Sequence, residues 1–240
     1  MRPITLPPRL SVLTDLIPPG ASVADVGTDH GKLAVWLALD ARCPRITATD
    51  ISPLALHRGQ EFAERRGVPD RVDFLCCDGL EGLTPDAART VVIAGIGGEN
   101  IAGILARSPL ERDAARTYIL QPASRENVLR AYLSENGYCI GDERLTLDGG
   151  RIYATMLVRH GDMPPLHPAQ LYAGVNLHKT GGALFGSLLD KLIARFQKDC
   201  AKLAETQGGS AELKARLGEY ETVLAGLLRM KEGVFKNDGT

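Results

Sequence analysis

Three acids stand where a short apolar run gives way to a turn. They are Asp25 in Val23-Ala-Asp-Val-Gly-Thr-Asp-His-Gly31, Asp50 after Ile46-Thr-Ala-Thr, and Asp78 before Gly79. A fourth, Asp29, lies inside the first turn between Gly27 and Gly31. A strand that runs through a glycine turn into a helix is the nucleotide-cradling start of a doubly wound α/β domain. The first glycine allows the sharp bend, and the second lets ligand or helix backbone come close. The dinucleotide fingerprint G-x-G-x-x-G is absent. In its place stands Asp25-x-Gly27-x-Asp29-x-Gly31, whose carboxylates would repel a pyrophosphate but suit a ligand carrying ammonium or sulfonium charge. S-adenosylmethionine is such a ligand. Asp50, roughly twenty residues past the turn, is where a carboxylate accepts both ribose hydroxyls. Asp78, at the next strand end, can reach the adenine amino group. An isolated Asp after a strand is usually a cap or turn former. Acids at three successive strand ends, each with glycine nearby, argue for a cofactor instead.

The surrounding pattern supplies the elements that must hold these groups. A short helix is expected over 10–17, closed by Pro18-Pro19-Gly20. Strands follow over 22–26, 45–50, 71–77, 90–94 and 117–120, with helices from about 33, 53, 99 and 124 between and after them. Ser52-Pro53 reads as an N-cap followed by proline at the first helical position, and Gly67 and Gly137 as stops. The continuously apolar Thr90-Val-Val-Ile-Ala94 fits a strand buried on both faces. It ends in Gly95-Ile-Gly97-Gly98, which is either a tight turn or room for a cofactor or target base with free amide donors. Two further strands, 138–147 and 151–159, flank the hairpin signal Asp148-Gly149-Gly150. Five strand–helix alternations closed by a hairpin is the order of a class I methyltransferase (Rossmann-like) α/β sheet.

Beyond residue 160 the pattern changes. Residues 161–178, with three prolines, read as a linker. From 179 to 240 apolar residues recur at spacings of three and four, with Leu189, Leu192, Phe196 and Leu203 expected to face Leu213, Leu217, Tyr220 and Leu224. A coiled-coil-like α-helical hairpin with its loop at Gly208-Gly209 is the reading, and a single bent helix packed on the sheet domain is the alternative. The domains are thus 1–160, which binds the cofactor, and 179–240, a candidate RNA-binding hairpin.

Composition excludes several classes. An apolar fraction of 44% without any run approaching the roughly 18 residues of a membrane span, and no leader at Met1, point to a cytoplasmic globular protein with no membrane partner. Five cysteines form no C-x-x-C, and the five histidines show no ligand spacing, so no metal and no disulfide framework are expected. A net charge of −1 means that any nucleic-acid partner must rely on a local basic patch.

Taken in order, these motifs resemble the bacterial tRNA adenine-N1 methyltransferases that modify position 22 of tRNA. The matching stretches are Pro8-Arg-Leu10, Ala24-Asp-Val-Gly-Thr-Asp-His30, Asp78-Gly79, Ala94-Gly-Ile-Gly-Gly98, Ile119-Leu-Gln-Pro122 and Gly150-Arg-Ile-Tyr153. The resemblance implies that Asp25, Gly27, His30, Asp50, Ile51, Asp78, Gly79, Ala94 and Gly95 bind S-adenosylmethionine. It implies that Asp29 lies beside the methyl group and target base as the catalytic residue, a carboxylate that stabilises developing positive charge. Arg9, Gly97, Gly98, Gln121, Pro122 and Tyr153 would contact the substrate, a tRNA. Three positions depart from the family. Ala123 stands where it has Asn, Lys32 where it commonly has an aromatic, and Asp50 where it has Glu, which keeps the carboxylate. The competing readings are a methyltransferase for another RNA, a small molecule or a protein, an NAD-dependent oxidoreductase, and a non-catalytic RNA-binding protein. The oxidoreductase lacks its fingerprint, and the non-catalytic protein needs no acids at strand ends.

Overall fold

Five short runs pair side by side: Val23–Val26 (β1), Ile46–Asp50 (β2), Asp73–Cys76 (β3), Thr90–Ala94 (β4) and Thr117–Gln121 (β5), the central ones rich in β-branched residues. All four pairings among them are parallel. The hairpin strands Tyr138–Asp148 (β6) and Arg151–His160 (β7) complete a seven-stranded sheet of order β3-β2-β1-β4-β5-β7-β6, with β7 antiparallel to both neighbours. The order reverses between β1 and β4, so the loops leaving these two strands part and open a crevice at their carboxyl ends. This is the sheet expected from the sequence. The structure is a computed structural model that describes residues 4–205 and 210–233. Two compact units divide the chain, at Met163 and Pro164.

Helices Pro8–Leu16 (α1), Lys32–Asp40 (α2), Pro53–Arg66 (α3), Gly98–Ala106 (α4) and Glu126–Glu135 (α5) belong to the first unit. Local chemistry sets several of their ends. The Ser52 hydroxyl accepts from the Ala55 amide at 3.3 Å, Pro53 opens α3, and Gly67 closes it at φ +71°. β1 and β4 are buried along nearly their whole length and β3, at the sheet edge, is not. The main core packs Leu13, Val35, Leu37, Ile46, Val92 and Ile119 together. Gly31 resolves its two readings in favour of backbone approach. A Cβ there would lie 3.1 Å from the Cα of Gly59 on α3 and 3.3 Å from the Phe74 ring, so the glycine lets α2 and α3 come together over β3.

The second unit corrects the sequence reading in two ways. Where a linker is expected over 161–178, the chain folds Pro168–Ala173 (α6) and Leu177–Thr180 (α7), and α6 packs against both long helices, Gly182–Ala204 (α8) and Ala211–Lys231 (α9). Pro168 sits at the first turn of α6, where its missing N–H costs nothing, and His167 with Gln170 forms a capping box. The seam also differs. Leu189, Ile193 and Phe196 of α8 pack with Val223 and Leu227 of α9 and with Ala169 and Ala173 of α6, while Leu192, Tyr220 and Leu224 flank the cluster. A Cβ on Gly226 would come within 2.6 Å of Ala169 Cβ, which is why α6 can lie so close to α9. Leu203, Leu213 and Leu217, expected in the seam, are only half-buried. The expected loop at Gly208-Gly209 lies outside the described residues.

Candidate active site

The carboxyl ends of β1, β2 and β4 surround a cavity of about 950 Å³. Asp25, Gly27, Asp29, His30, Asp50 and Ile51 line it, as do Asp78, Gly79, Ala94, Gly95 and Arg9. Every residue expected to touch a cofactor therefore reaches one space, together with the expected catalytic carboxylate, Asp29.

Asp50 is held by two backbone amides: that of Asp29 donates to Oδ2 at 3.0 Å and that of Ser52 to Oδ1 at 2.9 Å. Each oxygen keeps a lone pair for a further donor, as two ribose hydroxyls require. Asp29 itself has φ +54°, in the left-handed region that Asp tolerates better than most residues. That turn carries its carboxylate into the open mouth of the cavity. There His30 Nδ1 lies 2.7 Å from Asp29 Oδ2, and Arg58 Nη1 of α3 lies 3.3 Å from His30 Nε2. A guanidinium can only donate, so Nε2 accepts and Nδ1–H donates to Asp29. A chain of Arg58, His30 and Asp29 thus orients the acid at the cavity mouth.

Asp25 is the buried member of the set. Its Oδ2 accepts from the Thr28 hydroxyl at 2.6 Å. Burial pushes its carboxyl up from 3.8 to about 6, against the opposing pull of the Thr28 hydroxyl and the Ala34 amide, with the nearby Asp50 charge adding to the rise. The folded state therefore holds this proton more tightly than the unfolded chain. Its stabilising contribution is whole below pH 3.8 and is lost as pH rises through about 6. Asp25→Asn keeps an acceptor for Thr28 and removes the titration. Above pH 7 the variant without ligand is expected to be more stable than wild type by up to about 3 kcal/mol, with the two converging toward pH 4. Urea unfolding from pH 4 to 8 measures this, and parallel curves would show that Asp25 carries no buried titration.

The acids lining the cavity suit the positive charge of S-adenosylmethionine, and two glycines keep the space between them open. Gly27 and Gly95 have φ +71° and +82°, and both line the cavity. A Cβ on Gly27 would meet only Ile96 Cγ2, at 4.0 Å, and one on Gly95 only Arg9 Nη1, at 3.6 Å. Side chains there would stand in the space that the acids surround. Among the described residues no cluster of His, Cys, Asp and Glu could hold a metal ion, and no helix is long and apolar enough to cross a membrane.

Five of the expected substrate residues are not brought to this cavity. A Cβ on Gly98 would lie 2.3 Å from the Arg125 carbonyl, and the Gly98 amide donates to Ser124 O at 2.7 Å. Gly98 therefore lets the turn after β4 press against the loop after β5. Gln121 is fully buried, and its Nε2 donates to the Arg9 carbonyl at 2.8 Å and the Thr155 hydroxyl at 2.7 Å, tying α1 and β7 to β5. Pro122 is buried beside it. Tyr153, on β7, lies under the Arg151 guanidinium at 5.3 Å. Lys32, at the position where the family commonly has an aromatic, also lines the cavity, as do Glu99, Asn100 and Arg107, which no sequence motif marks. Glu99 and Asn100 come from α4 and Arg107 caps it, and only the position of that helix after the glycine turn could have pointed to them.

Comparison with known proteins agrees with this geometry. A family profile described as a methyltransferase domain matches residues 6–156. The tRNA (adenine(22)-N(1))-methyltransferase of Bacillus subtilis (strain 168) is 28% identical over 191 residues, covering 80% of this chain and 77% of the relative. The crystal structure of the B. subtilis m1A22 tRNA methyltransferase TrmK superposes with a TM-score of 0.86 at 24% identity, covering 95% of this chain and 99% of that one. A Streptococcus pneumoniae putative tRNA (m1A22) methyltransferase, solved in complex with S-adenosyl-L-methionine, superposes at 0.72 with 24% identity, covering 92% and 100%. The similarity read from the motifs thus extends over most of the chain.

Proposed function

We propose that this chain, which belongs to the methyltransferase-domain family, transfers a methyl group from S-adenosylmethionine to N1 of an adenine in tRNA, at position 22. The observation that carries the reading is the gathering of Asp25, Asp29, Asp50 and Asp78 around one glycine-floored cavity. The relative from B. subtilis, named for this activity, supports the choice of substrate. Such a protein works in the cytoplasm with tRNA as its partner.

S-adenosylmethionine, when bound, supplies an electrophilic methyl group. Asp50 would hold the ribose, Asp78 the adenine amino group, and Asp25 the positively charged end, with Gly27 and Gly95 giving the ligand close access to backbone. Adenine N1 has an in-plane lone pair, so no strong base is needed and the protein's task is alignment. A methylated N1 makes the base cationic, and the Asp29 carboxylate, oriented by His30, is placed to offset that charge. N1 is hidden in a base pair, so the nucleotide must be presented unpaired or flipped. Arg9 and Lys32 line the cavity and suit the neighbouring phosphates. The second unit offers Lys191, Lys198 and Lys214 as further backbone contacts. Arg195 and Arg216 there are partly engaged by Asp199 at 3.6 Å and by the Tyr220 hydroxyl at 3.1 Å, so any grip on RNA from these two is modest.

The test is methylation of an unmodified tRNA transcript by the purified protein, read by mass spectrometry of its nucleosides. N1-methyladenosine is expected from a transcript with A22 and not from one with G22. Methylation of another nucleoside, or none on any tRNA, would overturn the substrate assignment while leaving cofactor binding to be measured separately.

A further inference from the structure

Asp78 does not stand alone at its strand end. Arg107, the residue that caps α4, places Nη2 3.1 Å from Asp78 Oδ2 and Nε 2.8 Å from Glu81 Oε1. Arg107 lines the cavity together with Asp78, Gly79, Gly103 and Ile104. Two glycines make room for this arrangement. A Cβ on Gly103 would lie 3.4 Å from Arg107 Nη1, so the bare backbone one turn earlier on α4 accommodates the guanidinium. A Cβ on Gly79 would lie 2.8 Å from Ile104 Cγ2, so the absent side chain lets α4 settle against the turn after β3. Three groups are about half-exposed, with side-chain exposures of 51% for Arg107, 49% for Asp78 and 48% for Glu81. Ion pairs so exposed add little to folding stability. Their position at the rim of a ligand cavity gives them a different use.

We infer that Arg107 is a positioning residue that holds the Asp78 carboxylate for the exocyclic amino group of the cofactor's adenine, and so makes the site selective for adenosyl over 6-oxopurine ligands. The inference rests on the reading that Asp78 receives that amino group. Arg107 engages Oδ2 and leaves Oδ1 as an acceptor in a set orientation. An amino group donates to such an oxygen, whereas a 6-oxo group presents its own acceptor and is repelled. Without Arg107 the carboxylate is free to rotate into solvent, and the discrimination it provides is diluted.

The experiment is calorimetric titration of the full chain with S-adenosylhomocysteine and with its deaminated 6-oxo analogue, S-inosylhomocysteine. Wild type is expected to prefer the amino ligand on the order of a hundredfold, since sites built around a hydrogen bond reject ligands that cannot make it. Arg107→Ala is expected to bind S-adenosylhomocysteine roughly tenfold more weakly and the 6-oxo analogue unchanged, because an ordered hydrogen bond is lost for one ligand alone. Arg107→Lys should recover part of the preference, since an ammonium reaches Asp78 but cannot fork to Glu81 as a guanidinium does. Full preference retained in Arg107→Ala overturns the inference, as does equal weakening of both ligands, which would mean that Arg107 acts elsewhere on the cofactor. A wild type with no preference between the ligands would remove Asp78 from the adenine site, and the inference with it.

Discussion

Turnover is expected to fall on the order of a hundredfold when Asp29 is replaced by Asn, the usual range for one electrostatic group acting on a developing charge. The substitution is chosen for what it leaves alone. Asn tolerates the left-handed backbone at φ +54° at least as well as Asp, so the turn is kept. The Asp29 amide still donates to Asp50, and the new side-chain oxygen can still accept from His30 Nδ1–H. Only the negative charge is lost. Affinity for S-adenosylhomocysteine should therefore change little, while single-turnover methylation of tRNA slows. Asp29→Ala would confuse the two effects, because it also strains the backbone. A variant with Asn and full activity would take Asp29 out of the chemistry. In that case the chain from Arg58 through His30 would be only an ordered surface feature.

How much of this could be read in the sequence follows from the range of the interactions involved. The five parallel strands and their helices were legible because each boundary is set by neighbours in the chain, such as Ser52 capping α3 or Gly67 ending it. The acids at the strand ends were legible for the same reason: a doubly wound sheet sends every such position to one crevice. The residues of α4 were not. Arg107 meets Asp78 across 29 positions, and nothing local to either one announces the pair. Gly97, Gly98 and Gln121 fall outside the cavity because a glycine turn or a buried amide serves packing as readily as a ligand. What separates the two uses is the loop after β5, which no local pattern places there. The second unit went wrong through a missing partner. With two helices alone, a narrow seam of Leu189, Leu192, Phe196 and Leu203 is reasonable. A third helix, α6, widens the buried stripe and turns it toward Ile193 and Val223. The prolines that make 161–178 look like a linker include the one that starts α6.

Arg130→Ala is expected to lower the stability of the chain by about 3–5 kcal/mol, the range for breaking one side of a buried ion pair. Arg130 on α5 and Glu143 on β6 are 1% and 0% exposed, with Nε 2.9 Å from Oε1. Sequence alternation alone would not bury Glu143. In β6 the even-numbered Tyr138 and Ile140 point into the core, which would leave 143 on the opposite face. The register against β7 shifts between Ile140 and Asp142, and that irregularity changes the parity of the strand. Glu143 is thereby turned under α5, where Arg130 meets it. Removing the guanidinium leaves a fully buried carboxylate without the counter-charge that pairs with it, and that desolvation is the source of the loss. Replacing both partners, as Arg130→Met with Glu143→Leu, removes the penalty along with the pair and should bring stability back to near wild type or above. Urea unfolding at pH 7 of the two variants tests the argument. A loss below about 1 kcal/mol for Arg130→Ala would mean that water or other groups compensate Glu143. A double variant no better than the single one would mean that the pair is needed to dock α5 on the sheet, and that its packing cannot be replaced by apolar volume.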